Sequence, residues 1–110
     1  MEKINIEDLH KVEIKIGKIL EASNIEGSEK LLKLVVDVGE NSPRVILSGI
    51  AKFFPDPAVL VGTKCPFVTN LKPREMMGME SNGMLFAVSS GENFSLLNVS
   101  ENIDIGSRLL

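Results

Sequence analysis

The chain has no tryptophan, no tyrosine, one cysteine and one histidine among its 110 residues. Each scarcity removes a class of function. Proteins that bind single-stranded nucleic acid on small β scaffolds stack bases on aromatic side chains. Only five phenylalanines are available here. Phe53, Phe54, Phe67, Phe86 and Phe94 mostly fall where a core is expected, so a generic single-strand binder is disfavoured. Cys65 has no partner for an internal disulfide and fits a reducing compartment. It is better suited to filling a strand position than to nucleophilic chemistry, because His10 is the sole imidazole and shows no neighbouring partner in sequence. No apolar run approaches the roughly 20 residues that span a bilayer, so no membrane partner is expected. The first residues carry Glu2, Glu7 and Asp8 where a signal peptide has a basic start and an apolar run, which predicts a cytoplasmic protein. There is no glycine-rich phosphate loop, no Cys or His cluster at metal-ligand spacing and no Ser/His/Asp grouping. No cofactor, metal or catalytic residue is expected.

What is present is one domain's worth of chain with an ordinary core. Hydrophobic residues make up 44% and charged residues 25%, the balance of a globular domain. The net charge of −3 is unevenly spread. Residues 1–10 carry one base and three acids, residues 11–74 ten bases and seven acids, and residues 75–110 one base and five acids. Such segregation permits a basic face on an acidic protein.

The hydrophobic pattern has the period of strands. Residues 1–10 read as a lead-in, with Asp8 a candidate cap for a short helical turn. Val12, Ile14 and Ile16 alternate with Lys11, Glu13 and Lys15, which predicts a half-buried strand with the charged residues on its outer face, and Gly17 then predicts a bulge or bend. Leu32, Leu34, Val36 and Val38 alternate likewise, ending at the turn-rich residues 39–43. Arg44 to Ser48 is a third strand, and Lys33 and Arg44 are candidates to approach one another across that hairpin. Ile50, Phe53 and Phe54 have helical spacing before Pro55-Asp56-Pro57. Lys64 to Thr69 is a fourth strand, with Pro66 predicting an edge or a bulge. Met84 to Val88 is a fifth and Phe94 to Val99 a sixth. The expectation is an all-β domain: a five-stranded Greek-key barrel of the oligonucleotide/oligosaccharide-binding type, with a short helix between strands three and four. The barrel covers about residues 11–90. Residues 91–110 form an extension, and Ile103, Ile105, Leu109 and Leu110 within it need cover. Packing back onto the barrel and forming a homodimer both provide it.

The stretch from Asn70 to Met84 is a polar segment held between apolar strands, the usual place for a binding site on a rigid scaffold. Its Lys72-Pro73-Arg74 sets two cations on a stiffened backbone. With Lys15, Lys18, Lys33, Arg44, Asn70, Ser81 and Asn82, these side chains suit phosphate contacts and shape recognition of a folded RNA. An ordinary solvated surface loop is the competing reading.

Several pieces, in order, resemble the bacterial tRNA-binding domain family. They are Val12 to Ile19, Lys30-Leu31, Val36 to Gly39, Pro43 to Ile50, Asn70-Leu71-Lys72-Pro73-Arg74, Gly78, and Ser81-Asn82-Gly83-Met84-Leu85. The family includes free-standing tRNA-binding proteins and the C-terminal domain of many methionyl-tRNA synthetases. The resemblance implies a non-catalytic module that binds tRNA by shape, and a homodimer paired through C-terminal additions. It implies that Ser81 and Met84 occupy motif positions tied to tRNA binding. Asn70, Lys72, Arg74, Arg44, Lys15 and Lys18 match polar or basic positions lining the same face. Three departures stand out. The connection Ile25 to Leu31 keeps only Lys30-Leu31 of the family's usual sequence, Met77 stands where a base is common, and Glu75 and Glu80 place acids in the segment. Weaker affinity than in more basic relatives is expected. An interaction protein of the CsaA chaperone-like branch is the alternative on the same fold.

Overall fold

The computed structural model describes residues 1–109. Its centre is a sheet of five antiparallel strands in the order β3-β2-β1-β4-β7. These are β1 (Ile14–Asn24), β2 (Leu32–Asp37), β3 (Arg44–Ser48), β4 (Lys64–Val68) and β7 (Met84–Leu85). Two hairpins stand beside it: β5 (Arg74–Met76) with β6 (Met79–Ser81), and β8 (Ala87–Ser90) with β9 (Asn93–Leu96). The sheet curls until β3 meets the far side. There the Asn82 N–H donates to the Val45 carbonyl at 2.9 Å, and the Leu47 N–H donates to Ser81 Oγ at 3.0 Å. Nearly closed in this way, the fold is a five-stranded Greek-key barrel of the oligonucleotide/oligosaccharide-binding type.

Alternation decides the core. Leu32, Leu34 and Val36 of β2 face inward and are fully buried, with Ile46, Cys65, Phe67 and Leu60 around them. Strand β1 keeps the expected period but with the opposite face inward. Lys15 pairs with Phe67 and Gly17 with Cys65, and directly opposed residues share a face. The inward set is therefore Lys15, Gly17 and Ile19, while Ile16 is buried outside the main core cluster. Gly17 is required by space. A Cβ there would lie 2.8 Å from Val36 Cγ1 and 2.9 Å from Phe67 Cδ2. The bulge itself falls after Ile19, where the register with β2 skips Leu20. Pro66 is neither at an edge nor at a bulge. Strand β4 is paired on both sides, and at Pro66 the neighbouring Ile16 turns its N–H and carbonyl away, to Ser107 and Gly106, so no ladder donor is missed.

The predicted short helix is two 3₁₀ turns, Ala51–Phe53 and Pro57–Leu60. Pro57 starts the second turn rather than stopping the first, with Asp56 accepting the Ala58 N–H at 3.1 Å. Near the start of the chain, α1 (Ile6–Leu9) begins after Asn5, whose side chain makes no capping bond, and Asp8 lies inside the helix rather than at its cap, 3.4 Å from the Lys11 ammonium. The sixth predicted strand is shorter than expected and belongs to the β8–β9 hairpin. Phe94 fastens that hairpin to the first 3₁₀ turn, stacked on Phe53 with centroids 4.4 Å apart and edge-on to Phe54.

The tail beyond β9 packs back. The Gly106 N–H donates to the Ile16 carbonyl, the Ile16 N–H to the Ser107 carbonyl and the Leu109 N–H to the Ile14 carbonyl. The tail thus fills the edge of β1 that β2, which pairs only with residues from Lys18 onward, leaves open. It crosses the β2–β3 turn where Gly39 and Gly106, both at positive φ, meet backbone to backbone; a Cβ on Gly39 would come within 3.0 Å of Gly106 Cα. Lys64 Nζ fixes the approach by donating to the carbonyls of Glu101 and Ile103. Leu110, the last of the tail's apolar residues, lies outside the described residues.

Candidate nucleic-acid interface

The segment from Asn70 to Met84 is a built hairpin rather than a plain loop. Its strands pair Arg74 with Ser81, Glu75 with Glu80 and Met76 with Met79. The two turn residues, Met77 and Gly78, both have positive φ, the two-residue turn that matches strand twist. A methionine at such a position is uncommon. Its terminal methyl reaches the β1–β2 connection, where a Cβ on Gly27 would lie 3.5 Å away.

Strand alternation sorts the hairpin's chemistry. Arg74, Met76, Met79 and Ser81 share one face, and Glu75 and Glu80 share the other. The first face overlooks a shallow cavity of about 230 Å³ on the barrel wall. Leu47, Leu71, Met76 and Met84 supply its apolar lining, Lys72 and Arg74 its cations, and Ser81 and Gly83 complete it. Leu71 is 47% and Met84 44% exposed, so the apolar part faces outward as well. The two carboxylates expected to weaken the site therefore point away from its cations.

The feet of the hairpin are fixed by polar contacts. Arg44 of β3 donates from Nη1 to the Thr69 carbonyl at 2.6 Å and to the Asn82 carbonyl at 3.4 Å. Its other nitrogens make a two-pronged contact with Glu40, Nε to Oε1 at 2.8 Å and Nη2 to Oε2 at 2.7 Å. That contact holds the Glu40 carboxyl below its ordinary range and raises the Arg44 guanidinium. Beside it, Thr69 Oγ1 donates to Glu13 Oε1 at 2.7 Å, and Lys15 lies 3.7 Å from the same oxygen. The Thr69 hydroxyl first, and the nearby Lys15, Arg108 and Arg44 charges after it, keep the Glu13 carboxyl low. Asn70 accepts the Glu13 N–H at 2.8 Å and donates to the Lys11 carbonyl at 2.6 Å, tying the hairpin's first foot to the start of β1.

The expected site residues thus separate into groups. Lys72, Arg74, Ser81 and Met84 come together around the cavity. Lys33 stands directly opposite Leu47, on the outer face that borders it. Arg44 pairs with Val36 on the inward face, so Lys33 and Arg44 lie on opposite faces of their hairpin rather than near one another. Lys15 sits on the inward side of β1, whereas Lys18 faces outward between Asp37 and Lys64. Ser81 is only 4% exposed, its oxygen accepting the Leu47 N–H. Among the described residues neither Lys72 nor Arg74 enters an ion pair, which leaves both charges free. Leu47, Leu71 and Met76 of the cavity, and Glu13, Glu40 and Thr69 at the feet, escape a reading of the sequence. Their partners lie far away in the chain, Glu40 excepted, whose spacing from Arg44 spans a turn.

A barrel of this type belongs to the class of oligonucleotide/oligosaccharide-binding folds, and unpaired cations beside an outward cavity suit an anionic ligand. Comparison narrows that class. The tRNA binding domain family model matches residues 14–108, and the chain belongs to that family. It is 42% identical over 106 residues to the methionine–tRNA ligase of Lactococcus lactis subsp. lactis, covering 96% of this chain and 16% of that protein. The chain therefore spans about one sixth of the length of such relatives. Among solved structures, the MetRS related protein of Pyrococcus horikoshii superposes with a TM-score of 0.91 at 38% identity, over 100% of both chains. The chaperone CsaA of Bacillus anthracis superposes with a TM-score of 0.85 at 22% identity, covering 99% and 100%, a likeness of fold.

Proposed function

We propose that the chain binds folded tRNA by shape and phosphate contact and performs no chemistry of its own. It does so either free-standing or as the C-terminal part of a methionyl-tRNA synthetase. The observation that carries this reading is the pair Lys72 and Arg74, two unpaired cations on a hairpin pinned at both feet beside an outward apolar cavity. Cations held on a fixed frame meet phosphates at set spacing without first being ordered. In this reading Lys72, Arg74 and Lys33 meet phosphate. Met84 and Leu71 lie against sugar or base edges, and Ser81 and Asn70 hold the frame. Lys15, paired with Glu13, and Lys18 lie outside the cavity, and the outward-facing Lys18 supplies long-range attraction. Docking of this kind raises the local concentration of tRNA at an attached or associated synthetase.

The barrel of about residues 11–90 carries the site, and residues 91–110 with the N-terminal turn pair two copies into a homodimer in the cytoplasm. Ile6, Leu9 and Val12, all substantially exposed, line an apolar groove of about 230 Å³ with Leu109, the kind of surface a second copy covers. A size measurement in solution tests the pairing. The test of function is titration of labelled tRNA across salt. Steep weakening with salt supports the reading. Absence of tRNA binding at low salt, with retained binding of an unfolded polypeptide, favours a CsaA-like role for the same apolar surface.

A further inference from the structure

The structure assigns Arg44 a different task from Lys72 and Arg74: we propose that it is a positioning residue, a guanidinium fixed by Glu40 that holds the two feet of the tRNA-binding hairpin at a set separation. The inference rests on the tRNA reading and deepens it. Residue type and place alone would make Arg44 one more phosphate contact. Its geometry argues otherwise. The planar fork has five donor hydrogens. Four of them are engaged: Nε and Nη2 each donate to a Glu40 oxygen, and Nη1 serves the carbonyls of both Thr69 and Asn82. The Arg44 side chain is 13% exposed, and it occupies the inward face opposite Val36, away from the cavity's cations.

The two carbonyls belong to the residues at which the chain leaves the barrel for the hairpin and returns from it. Thr69 follows β4, and Asn82 lies between β6 and β7. A single rigid side chain joined to both fixes their spacing, which backbone bonds alone do not do across so open a base. Glu40 contributes by neutralising the charge and locking the plane of the fork. It stands in the β2–β3 turn, so the turn's conformation bears on the hairpin.

The two roles predict opposite signs for one substitution. If Arg44 met phosphate, Glu40 would compete with tRNA for it, and Glu40→Gln would tighten binding. If Arg44 positions the hairpin, Glu40→Gln loosens the fork and weakens binding. Glu40 is exposed, so this variant is expected to fold. We expect a loss of about three- to tenfold in tRNA affinity, as the binding-competent hairpin becomes a smaller share of the population. The slope of log K against log salt should be unchanged, because no phosphate contact is lost. Amide exchange should speed up across residues 70–82 and stay as it was in β2. Arg44→Lys, which keeps the charge but not the fork, should weaken binding comparably. Tighter or unaltered binding in Glu40→Gln overturns the proposal. So does an Arg44→Lys protein that binds like the parent while Arg44→Gln lowers the salt slope by about 0.7–0.9. If the parent protein binds no tRNA at low salt, the functional reading fails separately, and the exchange rates of the hairpin in Glu40→Gln still decide the clamp.

Discussion

Replacing Lys72 and Arg74 together by alanine isolates the electrostatic part of tRNA binding. Each cation that neutralises a phosphate releases condensed counterions, adding about 0.7–0.9 to the slope of log K against log salt. Losing both should reduce the slope by about 1.4–1.8, and so lower affinity at 0.1 M salt by about 25–60-fold relative to a common value extrapolated to 1 M. Both side chains are exposed and free of ion pairs among the described residues, and Pro73 between them is retained. Folding stability should therefore move by no more than about 0.5 kcal/mol, so the binding change is not an indirect effect of unfolding. Fluorescence anisotropy of labelled tRNA, repeated at several salt concentrations from 50 mM to 400 mM (roughly the range over which counterion release dominates), reads the slopes directly. Parallel lines for the parent and the double variant, with affinities within about threefold, would show that neither cation touches phosphate and would remove the hairpin from the mechanism.

Three other outcomes follow from packing and charge. Gly17→Ala should destabilise the barrel by about 1–3 kcal/mol, because the added methyl meets Val36, Phe67 and Val38, all buried and unable to move aside; a urea midpoint matching the parent's would contradict that packing. Glu13 and Glu40 both have folded-state pKa values below the ordinary 4.5, so the stability they contribute is fully present above that value and is lost as pH falls through the depressed folded values. Denaturation midpoints from neutral to acid pH should show this loss, and Glu40→Gln should flatten the profile. Cys65 is fully buried and its thiol is pushed up to about 12 by desolvation, so it should resist a thiol-specific reagent at pH 8 until the protein is unfolded; rapid labelling of the native protein would show that the barrel opens.

The strand most legible in the sequence is β2, whose alternation is clean in both period and burial. Leu32, Leu34 and Val36 mark β2 and its inner face, and the third and fourth strands fall within a residue of expectation. Period without phase explains the error in β1. Both Ile14 and Ile16 are apolar enough for the core, but a glycine, Gly17, takes the inward place because Val36 and Phe67 leave no room for a side chain. The hairpin of β5 and β6 escaped as secondary structure because one of its faces carries acids and the other overlooks only a shallow cavity, so no apolar alternation marks it. The family motif nevertheless singled out Lys72, Arg74, Ser81 and Met84, which the structure gathers around one cavity. Their division of labour was not legible. That Asn70 bonds to the start of β1, and that Arg44 reaches Thr69 and Asn82, depends on registers between strands far apart in the chain.

The tail's seam along β1 bears on the order in which the chain can finish folding. All five barrel strands have been made by Leu85, yet the front half of β1 lacks its edge partner until Gly106 to Leu109 have been synthesised. A chain lacking those residues presents a nearly complete barrel with an open strand edge, the surface most prone to pairing with another chain. The segment from Gly106 to Leu109 acts as a stopper set in place after the barrel, and nonsense truncations just before it should yield insoluble protein even though every barrel strand and every residue lining the cavity beside the hairpin is intact.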